Sequence, residues 1–169
     1  MNWSAVFFTL LVVFGFAVGD PVCNNYAKFE KKFHCGAKGY FLGYGERYCR
    51  RFFSMVNEFD QTGKAFVACT GSCLVDKMNA YLKSNPKTNC SQIENDAYSQ
   101  HVGCYIQCGF CKACKTNRKA LMDVYSLKDF GSFGAMRTVE QVLNKCGGFF
   151  SAGFSCASGG FKVKDLWPW

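Results

Sequence analysis

Residues Gly43 to Leu82 read GYGERYCRRFFSMVNEFDQTGKAFVACTGSCLVDKMNAYL. Two helical patterns flank a short polar break. In Glu46 to Phe59, Tyr48, Cys49, Phe52, Val56 and Phe59 form one apolar stripe, widened by Phe53 and Met55. Arg47, Arg50, Ser54, Asn57 and Glu58 are left for water, the signature of an amphipathic helix. Lys64 to Lys83 repeats the pattern on Phe66, Val67, Cys69, Cys73, Leu74, Met78, Tyr81 and Leu82. Cys69 and Cys73 stand four apart, which predicts both on the buried face. Gly71 weakens this helix and leaves room for another backbone to approach. Between the helices, Asp60-Gln61-Thr62-Gly63 is made of turn residues. Asp60 or Thr62 is placed to cap the second helix by accepting from its free N–H groups. So short a connection predicts an αα-hairpin.

Upstream, Cys23 to Cys35 predicts a first helix on Tyr26, Ala27, Phe29 and Phe33, with Lys28, Lys31 and Lys32 outward. Cys35-Gly36 ends it, and Gly36 to Gly45 reads as a loop rich in glycine and aromatic residues. Downstream, Pro86 closes the second helix of the pair in a loop. Ser91 to Cys108 predicts another helix on Ile93, Ala97, His101, Cys104, Tyr105 and Cys108, with Ser91 and Glu94 as a capping box. Thr116 to Leu127 and Ala135 to Cys146 follow as helices around a break at Phe130 to Gly134. Phe149 to Trp169, with its glycines and serines, reads as irregular.

The first 19 residues carry no charged side chain and hold an apolar run from Ala5 to Val18, with Ala17 and Gly19 before Asp20. That is the pattern of a cleaved signal peptide, and the run is too short to span a bilayer. About 150 residues then remain, enough for one domain. All 12 cysteines fall in that part. An even, dense set in a secreted chain predicts a disulfide framework, because the secretory route oxidises thiols. The expectation is an all-α, disulfide-rich bundle of about five helices at 20–148, with an irregular C-terminal tail at 149–169 and an extracellular location.

Cys104, Cys108, Cys111 and Cys114 give C-x3-C-x2-C-x2-C, a spacing that four thiolates could use for zinc or an iron–sulfur cluster. In an oxidising compartment the same run reads as disulfides, and a redox-active pair there lacks the strand–turn–helix setting. Asp60 to Gly63 lacks the alternating oxygen ligands of a calcium loop. His34 and His101 sit in helical patterns without a nucleophile motif, and no paired carboxylates stand at useful spacing. No catalytic residue, metal ligand or cofactor site is therefore assigned. The formal charge of +8 favours anionic partners. Lys112, Lys115, Arg118 and Lys119 share about one helical face and are the candidate anion site, for a glycosaminoglycan. Asn89-Cys90-Ser91 is a glycosylation acceptor by pattern, with Cys90 competing through a disulfide. Nothing points to nucleic acid.

Phe59-Asp60-Gln61-Thr62-Gly63-Lys64-Ala65-Phe66-Val67, preceded by Gly45-Glu46-Arg47-Tyr48-Cys49-Arg50-Arg51-Phe52, resembles the stanniocalcins, secreted cysteine-rich helical glycoprotein hormones. Cys49, Cys73, Cys90, Cys104-Tyr105, Cys108 or Cys111, and Cys146 follow the family's cysteine order, and Asn117 to Leu127 resembles its N-P-E-A-I-type helix. The resemblance implies Cys73 paired with Cys104, Cys146 with Cys108 or Cys111, and Cys49 upstream, most simply with Cys35. Cys69, Cys114 and one of Cys108 or Cys111 are additional, and the family's glycosylation acceptor before the core motif is missing. The family links two chains through a C-terminal cysteine, for which Cys156 is the candidate here. The function implied is a hormone or signalling glycoprotein in calcium or phosphate balance, with a receptor or a secreted protease as partner and a disulfide-linked homodimer as a possible form. The alternatives are a structural or host-interaction protein on the same scaffold, or a thiol redox protein using Cys108, Cys111 or Cys114.

Overall fold

The structure is a computed structural model and describes residues 20–125 and 133–147. The expected leader at 1–19, the whole expected tail at 149–169 with Cys156, the last two residues of the helix expected at Thr116 to Leu127, and Phe130 to Ser132 of the glycine break lie outside these residues. Within them the chain is all α, with no strand and seven α-helices: α1 Asn24–Phe33, α2 Arg47–Ser54, α3 Gln61–Ser84, α4 Cys90–Gln107, α5 Phe110–Thr116, α6 Arg118–Val124 and α7 Phe133–Lys145. The helix with no expected counterpart is α5, into which the cysteine run coils before meeting α6 at Asn117.

α3 is the axis. Its 24 residues make it about 36 Å long. Its first half gives Phe66 and Val67 to one core cluster, with Tyr48, Phe59, Tyr105, Leu121, Val124 and Val142. Its second half gives Val75, Met78 and Leu82 to another, with Tyr26, Phe29, Tyr40, Phe41, Ile93 and Ala97. Tyr44 packs against both. α4 packs along α3 and also against α7, whose Val142 joins the first cluster.

Several local readings change. Tyr40–Glu46, expected as loop, winds as a π-helical segment leading straight into α2. Its wider coil lets Tyr40 and Phe41 turn inward, where both are buried. α1 stops at Phe33, because His34 takes a left-handed conformation at φ 53° and its N–H closes on the Glu30 carbonyl at 2.8 Å. α2 tightens after Ser54 into a 3-10 turn at Val56–Glu58. The cap of α4 stands two residues before the expected Ser91. Asn89 Oδ1 accepts the Gln92 N–H at 3.0 Å, while Gln92 Oε1 accepts the Asn89 N–H at 3.3 Å. The capping box thus uses Asn89 and Gln92, with Cys90 drawn into the first turn by its bond to Cys35. Gly71 leaves room for the ring of Phe53, where a backbone approach was expected.

Five disulfides join the described residues: Cys23–Cys49, Cys35–Cys90, Cys69–Cys108, Cys73–Cys104 and Cys111–Cys146. Cys49 therefore bonds Cys23 in place of Cys35. The N-terminal ends of α1 and α2 meet, whereas Cys35 lies at the far end of α1 beside the start of α4. Cys69, expected on the buried face, is exposed. Cys69 and Cys73 lie on the flank of α3 facing α4, and Thr70 takes the inward position between them.

Replacing Ile93, which is fully buried under α3, with Ala should cost about 3 kcal/mol by transfer and cavity terms. Denaturant unfolding of the non-reduced protein, with the midpoint shifted and the slope unchanged, checks it.

Candidate functional site

The polar break of the opening stretch is built as a clasp. Asp60 has extended backbone and caps α3, its Oδ1 accepting the Gly63 N–H at 2.8 Å. The Asp60 N–H donates to Asn117 Oδ1 at 2.7 Å, and Asn117 Nδ2 donates back to Asp60 Oδ1 at 2.7 Å. Asn117 is 4% exposed and sits between α5 and α6. Its amide also donates to the Ala113 carbonyl and the Thr116 hydroxyl, both at 3.0 Å. A buried amide thus has every strong group partnered. Gly63 is buried against this contact. A Cβ there would lie 2.6 Å from Asn117 Cγ and Oδ1 and from the Phe59 ring. Hydrogen bonds from the Thr116 hydroxyl, the Gly63 N–H and the Asn117 amide hold the Asp60 carboxyl at about 2.

Beneath the clasp lies a tyrosine-rich core. His101 is 5% exposed, and its Nδ1 lies 2.7 Å from the Ala97 carbonyl, so Nδ1 carries the proton. The rings of Tyr40, Tyr44, Tyr98 and Tyr105 surround it. Burial lowers its pKa and keeps it neutral. The Tyr105 and Tyr125 hydroxyls share a 2.5 Å hydrogen bond, and burial pushes the Tyr105 phenol up to about 12. A cavity of about 40 Å³ lies among Tyr44, Tyr48, Phe66, Thr70, His101 and Tyr105. It has room for water, whereas pockets for metabolites run to about 300 Å³ or more.

The other expected site residues fall as follows. Asn89 is exposed, and its side-chain oxygen is the cap acceptor. Lys112, Lys115 and Lys119 are exposed and Arg118 half-buried, on α5 and α6. Lys119 is ion-paired with Asp123, whose carbonyl also accepts from Arg51 at 2.6 Å. Among the described residues no group of three or more His, Cys, Asp or Glu could hold a metal ion, and no helix is long and apolar enough to cross a membrane. Cys108 and Cys111 are bonded to Cys69 and Cys146, and Cys114, buried, is also disulfide-bonded. Sequence reasoning missed Asn117 as a partner of Asp60. The available signal was a lone amide between two short helical patterns.

Gly63→Ala should reverse the usual gain of an Ala in a helix, about 1 kcal/mol, into a loss of about 1–3 kcal/mol. Chemical denaturation against wild type reads the sign. The Asp60 carboxyl is depressed below its usual 3.8, so its contribution to stability is present above pH about 4 and fades as pH falls toward 2. Unfolding midpoints of wild type and Asp60→Asn, followed from pH 5 to pH 2, should converge over that window.

No curated protein and no solved structure matches the chain. The sequence model of the Stanniocalcin family matches residues 16–150. That span contains the clasp, all seven helices and all five described disulfides, and the chain belongs to the stanniocalcin family.

Proposed function

We propose that this chain is a secreted signalling ligand of the stanniocalcin type that works by surface recognition, without turnover. The family is one of secreted, hormone-like glycoproteins, and its match over residues 16–150 carries the reading. A receptor or a secreted protease is the partner class, and calcium or phosphate balance the physiological readout.

The glycoprotein part of the reading rests on Asn89. The cap uses only the side-chain oxygen, so a sugar on Nδ2 would leave the start of α4 intact. Cys90 bonds Cys35, so glycosylation competes with closure of that bond. For assembly, the cysteine count matters. Ten cysteines are closed in five bonds, Cys114 is bonded as well, and the sequence holds one more, Cys156. We read Cys156, outside the described residues, as the partner of Cys114, so that each cysteine of this sequence pairs within one chain.

Purified secreted protein applied to epithelial monolayers should change radiolabelled calcium or phosphate uptake in a dose-dependent way. An unchanged flux for both ions at saturating dose would count against the hormone reading. Intact mass without reductant should correspond to one chain, decreasing on enzymatic removal of N-linked sugar. A doubled mass that collapses on reduction would overturn the monomer, and no change with the sugar-removing enzyme would overturn Asn89 glycosylation.

A further inference from the structure

The Cys35–Cys90 bond assembles a basic surface from two segments far apart in sequence. Its two Cα atoms are 5.5 Å apart across a separation of 55 residues. Lys31, Lys32 and Lys38 lie within four residues of Cys35, and Lys87 within three of Cys90. Lys28 stands one helical turn before Lys31 and Lys32. All five are exposed. At no more than about 3.6 Å of chain per residue, all but Lys28 must lie within about 14 Å of the bonded pair. The support is fixed. The Tyr81 and Thr88 hydroxyls bond at 2.9 Å, Thr88 N–H closes on Asn85 at 3.0 Å, and the Lys32 ammonium sits 5.2 Å from the centre of the Phe33 ring. Two carboxylates, Glu30 and Glu94, lie in the same segments. Glu30 Oε1 is engaged by the Gly36 N–H at 2.7 Å.

We propose that this disulfide-assembled lysine cluster is a binding site for sulfated glycosaminoglycan chains. Five lysines against two carboxylates give a focused positive field, and ammonium groups suit sulfates as point charges. A membrane surface fits less well. The exposed residues around the lysines are His34, Gly36 and Ala37 beside Lys32 and Lys38, and Asn85 and Pro86 beside Lys87, with no exposed Trp, Phe or Leu to enter the acyl boundary. The site is also distinct from the basic edge of α5 and α6. That edge contacts the clasp at the start of α3, whereas the lysine cluster lies at its other end. The proposal requires only the extracellular location, so it stands or falls separately from the hormone reading.

Heparin is the probe. The secreted full chain should be retained on immobilised heparin at 0.15 M NaCl. Lys31→Ala/Lys32→Ala/Lys38→Ala/Lys87→Ala should bind a heparin oligosaccharide at least about ten-fold more weakly, with a shallower dependence on salt. Lys112→Ala/Lys115→Ala should bind like wild type. All lysines replaced are exposed, and an unchanged circular dichroism spectrum and non-reduced mass establish that each variant folds. Wild type that flows through at 0.15 M NaCl would overturn the proposal. So would an undiminished quadruple variant, or an equal loss in the α5 variant. Binding to phosphatidylserine vesicles with no binding to heparin would assign the cluster to membranes and overturn it equally.

Discussion

The fold turns on one reciprocal pair of hydrogen bonds, between Asp60 and Asn117. Each partner meets an obligation of its own through it. The first turn of α3 has free N–H groups, and the Asp60 carboxylate accepts one of them. Asn117 is buried where α5 gives way to α6, and an amide left unpaired there would cost about 1–3 kcal/mol. The same oxygen of Asp60 serves both needs. Gly63 is then constrained from outside its helix, since any Cβ would occupy the space of the amide. The polar break between α2 and α3 is in this way a joint between segments 57 residues apart.

A helical chain of this size with its core split into two clusters gains much from covalent closure. The described bonds close loops of 26 to 55 residues, each contributing about 3–4 kcal/mol by the chain-entropy account. Cys69–Cys108 and Cys73–Cys104 form two rungs between antiparallel α3 and α4, one turn apart on each helix. They set the register of the pair from its edge. The interior stays free for Thr70, Val75 and Met78 on one helix and Ile93, Ala97 and His101 on the other. Cys69 contributes the outer rung.

Helices were legible wherever one face was continuously apolar. α1 to α4 and α7 could be read from stripes such as Tyr48, Phe52 and Phe66, Val67. The cap at Asp60 was legible too, because extended Asp before a helical stripe has few other uses. Tyr40–Glu46 was not. Its glycines signalled a loop, while its tyrosines wind inward only because the other core aromatics are there to receive them. The start of α4 was shifted because Asn89 and Ser91 are both good caps, and the bond from Cys90 to a distant Cys35 selects between them. Cys49 found Cys23 because α1 and α2 meet at their N-terminal ends, a spatial relation that no local spacing encodes. The lysines around Cys35–Cys90 were scattered for the same reason until the bond was placed.

The bonds can also be followed as a network, asking which peptide links are doubled by a bridge. From Cys23 to Cys108 every position is spanned by at least one, and a cut in the 85–89 loop would leave three bridges holding the halves. From Cys111 to Cys146 another bridge takes over. Between Cys108 and Cys111 no described bond crosses. There, at the left-handed Gly109, the main chain alone connects two separately closed parts. A single hydrolysed peptide in those few residues would divide the described framework covalently. Chain breaks elsewhere between Cys23 and Cys146 would leave it in one piece until reduced.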